Sequence, residues 1–121
     1  MIEKPNSKQY DLEDRTFEFA KRIRAFVKRL PKTLANIEDG RQLFNASGSV
    51  GANYIEANEA LSKKDFLMRI KICRKEAKES RYWLRLIDTC DNCELERERK
   101  ALENEAHELT HIFGSIVTKS K

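Results

Sequence analysis

Cys90-x-x-Cys93, followed thirteen residues later by His107-x-x-x-His111, has the spacing of a zinc site built from two thiolates and two imidazoles. The intervening ELERERKALENEA decides against that chemistry. A zinc finger needs a second strand and an apolar core residue soon after the Cys pair, whereas this stretch reads as unbroken, highly charged helix. Thirteen helical residues rise about 20 Å, and Zn–ligand bonds measure about 2.0–2.3 Å, so these thiols and imidazoles cannot share one ion. His107 and His111 are therefore read as solvent-facing, with a two-ligand surface site as the alternative. Cys90 and Cys93 become loop-edge thiols and Cys73 a small core residue. No metal and no cofactor is expected. Catalytic arrangements are thin as well. Glu76 and Glu79 stand three residues apart among lysines, which suits salt bridges or an intersubunit seam. Glu108-x-x-His111 has the di-iron spacing once, where such a bundle needs it on two helices. The run SGSVGANY lacks the Lys-Ser/Thr that completes a phosphate loop. The chain is expected not to be an enzyme.

The basic residues carry a stronger signal. Between Lys63 and Asp88 lie Lys63, Lys64, Arg69, Lys71, Arg74, Lys75, Lys78, Arg81 and Arg85, against Asp65, Glu76, Glu79 and Asp88. Nine against four is an excess of five in one segment, more than the +4 of the whole chain. At ~100° per residue, eight of the nine, all but Arg69, fall within roughly 120° of a helical wheel, beside Tyr82. A one-sided basic stripe with an adjacent aromatic is the electrostatic footprint of a polyanion binder. Lys64, Lys71, Arg74, Lys75, Lys78, Arg81 and Arg85 are the candidate nucleic-acid contacts. The alternative is an ordinary solvated helix face, since Lys and Arg are good helix formers.

Four helices must position these residues. With only 4 Gly and 2 Pro in 121 residues, the chain lacks the turn formers of an all-β fold. From Asp11 to Leu30, Leu12, Phe19, Ala20, Ile23, Phe26, Val27 and Leu30 recur at helical steps, and Pro31 ends the run. A second helix over Arg41 to Leu61 carries Leu43, Ser47, Val50, Tyr54, Ala57 and Leu61. Ser62 reads as the N-cap of a third, with Asp65 able to return the bond, running to about Thr89 on Phe66, Ile70, Cys73, Ala77, Ser80, Leu84 and Ile87. After a turn at Asp91-Asn92, a fourth helix from Glu94 to about Lys119 buries Leu95, Leu102, Leu109, Ile112, Phe113 and Ile116. Glu94, Glu96 and Glu98 at its start suit the positive end of the helix dipole. The expected architecture is an all-α, antiparallel up-down four-helix bundle over 11–121, a single domain behind a loose leader at 1–10. The leader has no apolar signal-peptide stretch, no segment has membrane-span length, and three Cys read as cytosolic thiols, so a cytoplasmic protein is expected.

Helices 2 and 3 carry more apolar surface than one core requires. Phe44, Gly48, Gly51, Ile55 and Asn58 form a second seam on helix 2, and Met68, Ile72, Trp83 and Leu86 lie off the core stripe of helix 3. A helix in a monomeric bundle needs an apolar face of about 100° or slightly more, and a glycine inside a helix costs ~1 kcal/mol relative to Ala unless close backbone approach compensates. These residues, Asn58 aside, are the candidate oligomer interface. A thicker monomer core is the alternative. Asn53, flanking the core stripe, is read as fixing register by hydrogen bonding.

The runs Arg41-Gln42-Leu43, Ser47-Gly48-Ser49-Val50-Gly51-Ala52-Asn53-Tyr54-Ile55-Glu56-Ala57, Ser62-Lys63-Lys64-Asp65-Phe66 and Lys75-Glu76-Ala77-Lys78-Glu79 through Tyr82-Trp83-Leu84 resemble the four-helix-bundle proteins encoded by intervening sequences of bacterial 23S rRNA genes. Asp11-Leu12, Arg15, Phe19-Ala20 and Leu30-Pro31 fit the same pattern, and the resemblance spans about residues 10–117. It implies an up-down bundle assembling into a homo-oligomeric ring, typically a pentamer, with no agreed biochemical activity. The rRNA setting suggests RNA, and basic rings of the same fold, the accessory proteins of diversity-generating retroelements, bind nucleic acid. Three readings follow: a ring-forming accessory protein that binds RNA or DNA, a protein-interaction scaffold that binds no polyanion, and a metal or redox function on the Cys and His residues.

Overall fold

Three of the four helices begin behind a side chain that satisfies their first free N–H groups, as N-caps do. Thr33 accepts from the Asn36 backbone N–H, Ser62 from that of Asp65, and Asn92 from that of Leu95. The resulting elements are α1 (Ser7–Arg29), α2 (Leu34–Asn58), α3 (Lys63–Leu86) and α4 (Cys93–Ser120). They come from a computed structural model that describes residues 7–121, with side chains from Leu12 onward.

The boundaries differ from expectation in four places. Six residues of the leader, 1–6, lie outside the described residues, and 7–10 already belong to α1. α2 starts at Leu34 rather than Arg41, because the Thr33 cap begins it and Asn36 is buried in its first turn. It also ends early, at Asn58, so Leu61 is no core residue but 99% exposed in the loop. α3 stops at Leu86, short of Thr89. Ile87 turns to extended backbone (φ −65°, ψ 137°) while its side chain remains buried, and Cys90 and Asp91 take left-handed φ values of 55° and 66° before α4 starts. The turn expected at Asp91-Asn92 lies one residue earlier, at Cys90-Asp91, with the Cys90 N–H donating to Asp88 Oδ1 at 2.8 Å and Asn92 capping α4.

Each helix packs on its neighbour in sequence, and α1 also touches α4, so an all-α bundle closes on itself. Contacts between α2 and α3 run in opposite sense: Arg69 Nη1 donates to Asn53 Oδ1 at 3.0 Å and Cys73 Sγ to the Val50 carbonyl at 3.4 Å, so residue numbers rise on α3 as they fall on α2. The core is lined by the expected stripes: Phe19, Ile23 and Phe26 on α1, Leu43, Val50 and Tyr54 on α2, Ile70, Cys73, Ala77 and Leu84 on α3, and Leu95, Leu102, Leu109 and Phe113 on α4. Burying side chains of this size contributes about 1.5–3 kcal/mol each. Phe66, Ile112 and Ile116 are only partly buried against it. Burial pushes the Cys73 thiol up to about 12, which makes it an unreactive core residue. Asn53 does tie α2 to α3, its Nδ2 donating to Ser49 O while its Oδ1 takes the Arg69 bond. At one end of the bundle Asn36 joins two loops. Its Nδ2 donates to Pro31 O and Asp88 O at 3.1 and 2.8 Å, and its Oδ1 accepts from the Asp88 N–H.

The helical glycines of α2 find their close neighbour within the chain. A Cβ on Gly51 would stand 3.0 Å from Thr16 Oγ1 of α1, and one on Gly48 3.1 Å from Arg24 Nη2. Thr16 is itself buried, its hydroxyl donating to Leu12 O. The close approach assigned by sequence to a subunit seam is therefore made between α1 and α2. At Gly114 a Cβ would meet only the Arg74 side chain at an ordinary 3.7 Å. Gly114→Ala is accordingly expected to raise the melting temperature, by up to about 1 kcal/mol of stability, whereas Gly51→Ala lowers it. Thermal denaturation of the two variants by circular dichroism checks this, and an equal gain in both would remove the steric account of Gly51.

Candidate nucleic-acid interface

Cations and carboxylates are sorted by helix before any surface faces solvent. Arg15, Arg22 and Arg29 project from α1 at seven-residue intervals and meet Glu105 and Glu108, Glu98, and Glu94 of α4. Arg15 is held on both oxygens of Glu105, with Nε at 2.7 Å and Nη2 at 2.8 Å, and Nη2 also reaches Glu108 at 2.7 Å. Its guanidinium is held still further into the charged form, first by the hydrogen bond to Glu105. Most of the acidity of α4 is thus answered by α1.

Glu103 of α4 takes a different set. It stands 3.6 Å from Arg81 Nε, 4.0 Å from Arg85 Nε and 3.7 Å from Arg99 Nη1. The C-terminal end of the basic stripe therefore faces an intrachain carboxylate, and Arg81 is half-buried. Lys75 lies 3.7 Å from Glu76, whose carboxyl is raised by burial and then by the charge of Glu79. Lys64, Lys71, Arg74 and Lys78 are exposed and enter no ion pair among the described residues. Of the seven expected contacts, these four are the cations free for a polyanion, and they occupy the first two thirds of α3. Tyr82 is exposed beside them and packs edge-on against Trp83, with ring centroids 5.0 Å apart.

The expected apolar seams divide. Ile55, Met68 and Leu86 are each about half exposed. Ile72 is half-buried, and Trp83 packs against the core. Phe44 is covered on one face by Arg24, whose Cζ sits 4.0 Å from the ring centroid, while Gly48 and Gly51 face α1 as described above. Leu67, Met68 and Ile72 line a shallow groove together with Lys64, Lys71, Lys75 and the acidic Asp65, so apolar and charged surfaces adjoin on α3.

Cys90 and Cys93 are exposed free thiols at the α3–α4 turn, and the histidines lie on the outer face of α4, some 20 Å along the helix from Cys93. Among the described residues no group of three or more His, Cys, Asp or Glu side chains converges as a metal site would require. No described helix is long and apolar enough to cross a membrane.

A family profile for 23S rRNA-intervening sequence proteins matches residues 8–115. The chain belongs to that family. Its fold is similar to that of a protein of unknown function from the S23 ribosomal protein family of Bacteroides thetaiotaomicron VPI-5482, with a TM-score of 0.72 and 29% identity over 87% of this chain and 96% of that one. Comparison with curated proteins gave no match. Sequence reasoning placed the family and the basic helix but missed the α1–α4 ion pairs. The seven-residue spacing of Arg15, Arg22 and Arg29 was the available signal.

Glu96 offers a pH test of the α3–α4 corner. Hydrogen bonds from Arg99 and then from the Thr89 hydroxyl hold its carboxyl down to about 2. An unfolded Glu titrates near ~4.3, so its contribution is complete above that pH and is lost as pH falls toward 2. Glu96→Gln is expected to flatten the dependence of melting temperature on pH across this window. Parallel curves for the two proteins would show that the carboxylate adds nothing.

Proposed function

We propose that the protein is a cytoplasmic, ring-forming accessory protein that binds RNA or other nucleic acid non-specifically through the basic face of α3, with no catalytic chemistry of its own. The observation that carries this reading is the group Lys64, Lys71, Arg74 and Lys78, exposed cations on one helix that enter no ion pair among the described residues, in a member of the 23S rRNA-intervening sequence family. A ring repeats this face in every subunit, so several phosphates are neutralised together and affinity falls steeply with salt. Apart from Tyr82 the face has no device for reading base edges, and recognition by charge and shape follows. Self-assembly is supported by the half-exposed Ile55, Met68 and Leu86 and the adjoining Ile72. A pentamer is what the resemblance implies. The second reading, a protein-interaction scaffold without a polyanion, draws its support from Glu103, which already engages part of the stripe.

Filter binding of a structured rRNA fragment and of single-stranded DNA at about 50 mM salt separates the two readings. Wild-type protein is expected to retain both, and K71E/R74E/K78E neither, with helicity and sedimenting mass unchanged. No retention of wild type, or equal retention of both proteins, supports the scaffold. Assembly is read separately by sedimentation, where Met68→Glu with Leu86→Glu should lower the mass. A wild-type protein that sediments as a compact monomer at micromolar concentration contradicts the ring.

A further inference from the structure

Two side chains serve neither the core nor the basic face. His107 and His111 stand one turn apart on α4, both exposed, with their Nε2 atoms 3.2 Å apart and ring centroids 4.5 Å apart. Two ring nitrogens this close must either share a proton, one donating and the other accepting, or both turn lone pairs onto a common cation. We propose that His107 and His111 form a bidentate site for a divalent transition-metal ion that favours imidazole, such as Cu(II), Ni(II) or Zn(II).

The separation fits the second arrangement as well as the first. Nitrogens bound at about 2.05 Å to one ion lie about 3.3 Å apart at a tetrahedral angle and about 2.9 Å apart at a right angle, and the observed separation falls between. The helix holds the rings at that spacing, because residues i and i+4 share a face. Both rings lie at the surface, open to ions from solvent. Glu108, the residue after His107, is already engaged and does not complete a tighter site. Glu108 accepts from Arg15 at one oxygen and from Asn104 at the other. The protein thus supplies two nitrogens and water the remaining positions, which makes the ion exchangeable. Hard cations such as Mg(II), which take oxygen ligands, are excluded by the donor set.

Isothermal titration of the full chain with NiCl₂ tests the site, with CuCl₂ and MgCl₂ as comparisons. The expected result is one Ni(II) per chain, tighter binding of Cu(II), and no binding of Mg(II). Loss of an outer-sphere partner alone costs about 10–100-fold in metal affinity, so His107→Gln and His111→Gln should each weaken Ni(II) at least about tenfold. C90S/C93S, which removes the exposed thiols, should bind like wild type. Nitrogen hyperfine splitting in the electron paramagnetic resonance spectrum of the Cu(II) protein should disappear in H107Q/H111Q, whose exposed substitutions leave the helix intact. Ni(II) binding that survives in H107Q/H111Q, vanishes in C90S/C93S, or is absent at millimolar metal overturns the proposal.

Discussion

Arg15, Arg22 and Arg29 rise along α1 while Glu105, Glu98 and Glu94 fall along α4, and this pairing governs what the rest of the bundle can present. Surface ion pairs are individually weak, about 0.2–1 kcal/mol, so the ladder does not hold the fold. Phe19, Ile23 and Phe26 do that from the same helix. What the ladder sets is charge: lying across the α1–α4 seam, it cancels cations of one helix with carboxylates of the other. Among the described residues the basic stripe of α3 meets carboxylates only at Glu76, beside Lys75, and at Glu103 of α4, beside Arg81 and Arg85.

Glu103 then divides α3 in two. Facing Arg81 and Arg85 of α3, with Arg99 one turn before it on α4, it places an anion among three guanidinium groups and engages the C-terminal end of the stripe. At the N-terminal end, Lys64, Lys71 and Lys75 line a groove with Leu67, Met68 and Ile72. Assembly across that groove would bring lysines to the rim of the subunit contact, where each copy adds its cations to those of its neighbour. On the proposed reading, charge and self-association would be coupled through the same helix.

Much of this was legible in the residues. The core stripes, the Ser62 cap, the Pro31 stop and the buried Cys73 follow from helical periodicity and from the chemistry of helix ends, both of which are local. The wheel of α3 gave the basic face for the same reason. What periodicity leaves open is the contact between helices. A glycine stripe shows that a close neighbour is wanted but does not say which helix provides it, and within the chain Thr16 and Arg24 of α1 stand beside Gly51 and Gly48. Arg81 and Arg85 looked equivalent to Arg74 and Lys78 on the wheel, and only the seating of α4 sets them apart. Asn36 escaped notice because its partners, Pro31 and Asp88, meet only when two loops come together.

The central claim is that intrachain pairing decides which cations of α3 reach a polyanion. The slope of log affinity for RNA against log salt counts those cations, at about 0.7–0.9 per phosphate contact. Measured for single alanine variants, the slope is predicted to fall by about that amount for Lys71→Ala and for Arg74→Ala, and to stay at the wild-type value for Arg85→Ala. A slope reduced by Arg85→Ala and untouched by Lys71→Ala would contradict the account.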